Sequence, residues 1–124
     1  MDFSFDNDRP VYLQLVEQLR AALLSGVYVP GQRLPSVRDL SAAAKVNPNT
    51  MQRALSQLED EGLLFTERTN GKFVTLDEAR IASLRAALAE SMTREYLSRL
   101  RRIGLSKSDA ITALTNIGGD EECL

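Results

Sequence analysis

Helix breakers partition this chain at intervals that leave room only for short elements. Pro10, Gly26, Pro30, Pro35, Pro48 and Gly62, followed by an Asn70-Gly71 pair, cut the first 76 residues into three helical stretches and a hairpin. In residues 10–25, Tyr12, Leu15, Val16, Leu19 and Leu23 recur at three- and four-residue spacing, the period of an amphipathic helix. Pro10 suits a first helical turn, with Arg9 or Asp8 as the expected cap, and Gly26 ends the helix. Val27 to Pro35 reads as a turn-rich connection. Ser36 then opens a short second helix, with Asp39 as a capping-box-like partner and Leu40, Ala43 and Ala44 facing inward as far as about Lys45. Asn47 caps a third helix whose first residue is Pro48. Its apolar side is Met51, Ala54, Leu55 and Leu58, while Asn49, Gln52, Arg53, Ser56 and Gln57 occupy the other.

Past Gly62 the period changes. Leu63 to Glu67 and Lys72 to Leu76 read as strands around Arg68-Thr69-Asn70-Gly71, since Asn-Gly favours a hairpin turn. Asp77 caps a long helix with a nearly heptad stripe of Ile81, Leu84, Leu88, Met92, Tyr96, Leu100 and Ile103, stopped by Gly104. Ser106 and Asp109 make a capping box for a last short helix bearing Ile111, Leu114 and Ile117 before Gly118-Gly119. Residues 1–8 and 119–124 are polar and acidic, and are expected to be flexible ends.

Composition narrows the chemistry. The 124 residues contain no histidine, which removes His-based triads, His metal sites and His acid/base catalysis. No glycine-rich phosphate loop is present either, so an enzyme is not expected, and neither is a cofactor or a metal. Asp120-Glu121-Glu122 reads as a solvated tail, and the single cysteine, Cys123, as an inert thiol in a reducing compartment. Without an 18-residue apolar run or a basic-then-apolar leader, a cytoplasmic location is expected. Net charge is −2, but residues 33–53 hold Arg33, Arg38, Lys45 and Arg53 against Asp39 alone. A locally basic stretch inside a mildly acidic chain suits a polyanion partner.

Helix, short helix, turn, helix, hairpin is the order of a winged helix-turn-helix, a fold that places its second motif helix N-terminus first in the DNA major groove. The start of that helix carries side chains that can read bases: Asn49 and Gln52 for adenine, Arg53 for guanine, and Thr50 for a phosphate or a thymine methyl. Pro48 lacks an N–H and shapes the helix start. Arg68 and Lys72 in the hairpin are placed to reach backbone or minor groove, or equally to protect a sheet edge. Arg38 has its own bland alternative, a solvated side chain paired with Asp39 or Glu61.

Residues 30–74, PGQRLPSVRDLSAAAKVNPNTMQRALSQLEDEGLLFTERTNGKFV, resemble the GntR-type winged helix-turn-helix, whose pattern runs PGxxLPSxRxLA, a Thr-containing recognition helix, LExEGL and GxGxFV. The run RPVYLQLVEQLR at 9–20 is similar to that family's first helix, and RRIGLS at 101–106 to its YtrA subgroup. The resemblance implies that Arg38 contacts bases and Thr50 a phosphate, with Ser36, Asn47 and Asn49 in neighbouring contact positions. Pro48 and Gln52 stand where many members carry arginine, and the wing reads Asn70-Gly71-Lys72 instead of Gly-x-Gly.

The expected architecture is thus mainly α, with a winged DNA-binding domain at 9–77 and a two-helix dimerisation region at 78–118. A helix of about 26 residues spans about 39 Å, longer than the small domain before it, so part of its stripe needs another partner. A two-fold homodimer is the simplest answer. The expected function is a homodimeric repressor on an inverted-repeat operator in double-stranded DNA, with a small-molecule effector in a cleft between subunits left open. The rival is a dimeric winged-helix adaptor that binds protein and not DNA.

Overall fold

Three helices enclose one apolar centre because each contributes a single apolar face to it. The structure, a computed structural model, describes residues 1–117; Gly118-Gly119, the acidic tail and Cys123 lie outside the described residues. Helices α1 (Val11–Ser25), α2 (Val37–Ala44) and α3 (Pro48–Asp60) are followed by β1 (Leu64–Glu67), β2 (Gly71–Val74), α4 (Glu78–Arg102) and α5 (Lys107–Asn116). The fold is mainly helical with one small hairpin, as expected.

Two compact units divide the chain, one from Met1 to Arg85 and one from Ala86 onward. In the first, α3 packs against α1, α2 and β1. Leu15, Met51, Leu55, Leu58, Leu63 and Val74 are fully enclosed there. Truncating one such leucine to alanine costs about 2–5 kcal/mol, so this cluster holds α3 in place.

Local capping sets where the helices begin. Ser36 Oγ accepts the Asp39 N–H at 3.0 Å, and Asn47 Oδ1 accepts the Asn49 N–H at 2.7 Å. Ser106 and Asp109 form the complete reciprocal box, which holds the Asp109 carboxyl below its ordinary range through the Ser106 N–H and hydroxyl. Helix α1 departs from expectation. Pro10 is itself the N-cap residue, with no side-chain cap from Arg9 or Asp8. Gln14 acts instead: its amide donates to the carbonyls of Asp6 and Arg9, at 3.0 and 2.7 Å, and accepts the Asp6 N–H at 2.9 Å.

Other contacts also join residues 1–8, read from composition as a flexible end, to α1. Ser4 exchanges backbone hydrogen bonds with the Gln18 amide, and Phe3 and Phe5 stack at 6.2 Å while packing on the core. The apolar pair escaped a composition-based reading because three aspartates surround it.

The connection after α1 also holds more order than its prolines suggest. Gly31 N–H donates to Val74 O, Val74 N–H to Gln32 O and Leu34 N–H to Lys72 O, each at 2.9 Å. Residues 31–34 therefore lie along the free edge of β2, with Arg33 opposite Phe73. On the other edge, β1 and β2 pair antiparallel from Leu64↔Val74 to Glu67↔Gly71, with Phe65 and Phe73 stacked at 5.6 Å.

Two cations close the ends of α1 and α3. The Arg85 guanidinium donates twice to Leu24 O, at 3.1 and 2.7 Å, and Arg80 Nε donates to Glu61 O at 3.0 Å. Both satisfy last-turn carbonyls where a helix dipole favours positive charge.

Candidate nucleic-acid interface

The turn between α2 and α3 is three residues long, Lys45 to Asn47, and its geometry rests on one unusual backbone. Lys45 adopts φ 57° and ψ 45°, the only non-glycine residue with positive φ among the described residues. The chain then re-enters a helix at Pro48, whose fixed φ suits a first turn. Val46 N–H returns to Ser41 O at 3.1 Å, which caps the C-terminal end of α2 as the chain enters the turn.

This arrangement leaves the polar start of α3 in water. Asn47, Asn49 and Gln52 are exposed, and Thr50 is half-buried. Asn47 spends its carbonyl oxygen as a cap and keeps its amide N–H groups free to donate. Arg38, on the first turn of α2, is exposed and makes no ion pair among the described residues, so neither Asp39 nor Glu61 claims it. Glu61 is held instead by Arg20, in a two-pronged contact at 2.8 and 2.6 Å. Hydrogen bonds from Arg20, and then from Gln57, pull the Glu61 carboxyl below its ordinary range. Ser36 is exposed at the head of α2 with its oxygen committed to the cap.

Two cations expected to be free are engaged. Arg53, the single cation of α3, stacks over the Tyr12 ring with its guanidinium carbon 4.3 Å from the centroid, which draws it toward α1. Lys72 Nζ lies 2.9 Å from Glu59 Oε1 and 2.9 Å from Thr66 Oγ1, with 14% of its side chain exposed. The Lys72 hydrogen bond is also the main reason that the Glu59 carboxyl sits below its ordinary range. Arg68 is exposed in the hairpin turn, where Asn70 N–H closes onto Glu67 O at 3.1 Å.

One cation at the wing had no individual signal in the sequence. The Arg33 guanidinium passes so close to Gly71 that a Cβ there would lie 3.4 Å from its Nε. Gly71 also has φ +97°, so the position favours glycine on both counts. Arg33 thereby joins Arg68 at the hairpin. Only the local excess of positive charge in residues 33–53 hinted at it.

The groups displayed here suit recognition by hydrogen bonding and charge. Amides, hydroxyls and guanidinium groups are displayed on one motif, and no cluster of three or more potential metal ligands occurs among the described residues. No described helix is long and apolar enough to cross a membrane.

Comparison with known proteins agrees with this geometry. Residues 11–74 match the bacterial regulatory proteins of the gntR family. The HTH-type transcriptional regulator YhcF of Bacillus subtilis, itself uncharacterized, is 32% identical over 114 residues, which cover 92% of this chain and 94% of that protein. The transcriptional repressor YtrA of the same organism is 34% identical over 91 residues, 73% of this chain and 68% of that one. A GntR family transcriptional regulator from Listeria monocytogenes superposes with a TM-score of 0.86 at 34% identity, covering 91% of this chain and 99% of its own. The chain belongs to the gntR family of bacterial regulatory proteins, the winged helix-turn-helix DNA-binding regulators of transcription.

Proposed function

We propose that this regulator is a homodimeric repressor that reads a two-fold symmetric operator. The observation that carries the reading is the exposed start of α3, where Asn47, Asn49 and Gln52 stand beside the unpaired Arg38. Asn and Gln suit adenine edges and Arg suits guanine, so the motif has donors for a mixed half-site. Thr50 and Ser36 take phosphates on either side, and Arg68, with Arg33, follows the backbone at the wing.

The dimer rests on the second unit. There Met92, Ile103, Ile111 and Leu114 are 56–71% exposed, although their helices are well formed. Apolar side chains repeated along α4 and α5 call for a partner of matching pattern, and a second copy supplies one under two-fold symmetry. Two equivalent recognition helices then select inverted half-sites about one helical turn apart, or a multiple of it. Repression is the simplest outcome of occupying such a site, and YtrA of Bacillus subtilis, a transcriptional repressor, points the same way.

The test is selection from a random pool of DNA duplexes by the purified full chain at near-physiological salt. An enriched inverted repeat is expected. Failure to enrich any sequence at low salt as well, from folded dimeric protein, would favour the adaptor and overturn the operator reading.

A further inference from the structure

The turn of the motif holds an apolar cleft that direct hydrogen-bond readout leaves without a role. Val37, Ala42, Val46 and Pro48 line it, and Arg38 and Lys45 stand at its rim. Ser41, which also borders the cleft, turns its hydroxyl away to donate to Val37 O at 2.6 Å, so the lining offers almost no hydrogen-bonding group. Pro48 is exposed at the first position of α3, the end of the helix that enters the major groove. A proline there presents three ring methylenes and no donor.

In the major groove, the one apolar group that distinguishes a base pair is the 5-methyl of thymine. Resting on the DNA-binding reading above, we propose that this shallow cleft is a thymine-methyl subsite, with Pro48 and Val46 packed against the methyl. Two features favour that occupant over an apolar peptide side chain. The cleft is continuous with the polar start of α3, and its rim carries two cations and no carboxylate, the charge pattern of a surface that meets phosphates. Lys45 reinforces the point. A glycine would adopt its left-handed backbone without strain, yet the chain places a cation there. The subsite therefore asks for a thymine next to the guanine that Arg38 reads.

The experiment uses the selected operator duplex and replaces each thymine, one position at a time, with deoxyuridine. That change removes only the methyl and preserves pairing. One position in each half-site should lose about fourfold in affinity, the value of one buried methyl-sized group. In Pro48→Ser the same substitution should have no effect, and Pro48→Ala should retain part of it; circular dichroism and the melting temperature show that each variant is folded. Uracil tolerated at every position, or a penalty that persists unchanged in Pro48→Ser, would overturn the subsite while leaving the operator reading intact. A wild-type protein that selects no sequence would overturn both, and that failure is visible at the selection step, before any uracil is introduced.

Discussion

Lys72 Nζ lies 2.9 Å from Glu59 Oε1, so the hairpin is tied to the C-terminal half of the recognition helix by an ion pair. Thr66 completes the knot, accepting from Lys72 and donating to Glu59 at 2.9 Å each. Wing and helix are thereby joined through side chains, and the cation spends its charge inside the protein.

This makes a prediction about salt. Glu59→Gln releases the ammonium toward the DNA, and the slope of log affinity against log salt should steepen by about one. Lys72→Ala should lower affinity by misplacing the wing while changing that slope little. A slope flattened by about one in Lys72→Ala, with none of the expected change in Glu59→Gln, would show that the lysine leaves its partner to contact phosphate.

Arg38 has no ion-pair partner among the described residues. Arg38→Ala should weaken binding to the selected operator by about 1–3 kcal/mol and relax specificity at one base pair. Its melting temperature should match that of the wild type. Unchanged affinity would remove Arg38 from the interface.

The Arg20–Glu61 fork predicts an acid dependence. Hydrogen bonding from Arg20 depresses the Glu61 carboxyl in the folded state, so the unfolded chain takes up its proton first as pH falls. The stability from this pair is therefore complete above the ordinary glutamate range, about pH 4.3, and is lost as pH falls through the lower folded value. Glu61→Gln should cost about 1–2 kcal/mol near neutral pH. In urea titrations across pH, the gap between variant and wild type should close below about pH 4.

Lys45→Gly should stabilise the fold. The left-handed backbone at this position costs an L-residue about 1–2 kcal/mol, and the extra freedom of glycine in the unfolded chain offsets part of the relief. A gain of about 0.5–1 kcal/mol in unfolding free energy is expected, together with weaker DNA binding. A loss of stability would mean that Lys45 makes a compensating contact.

Met92, 61% exposed on α4, tests the assembly. Met92→Glu should shift light scattering at micromolar concentration from dimer to monomer, with the far-ultraviolet dichroism largely retained. Wild-type protein that is monomeric under the same conditions would sink the dimer outright.

What could be read from the residues alone follows the range of the interactions involved. Ser36, Asn47 and Ser106 mark helix starts by bonding to groups two or three positions away, and their local pattern identified all three. The mainly helical fold and the motif order followed from the same short-range logic. Arg33 was missed because its pairing with Phe73 spans forty residues and lies between prolines. Lys72 and Arg53 were recognised as cations, but Glu59 and Tyr12 sit on other elements, and no spacing rule pairs them.

The Gln14 side chain, 4% exposed, has a consequence for where the folded unit around α1 begins. The gntR match opens at residue 11, and an N-terminal cut made there would retain every helix. It would also remove Asp6 and Arg9, leaving a nearly enclosed amide with two donors and an acceptor unmet. The border drawn by family likeness and the border of the unit that folds are thus different places. An expression fragment trimmed to the former discards part of the scaffold on which its first helix is built.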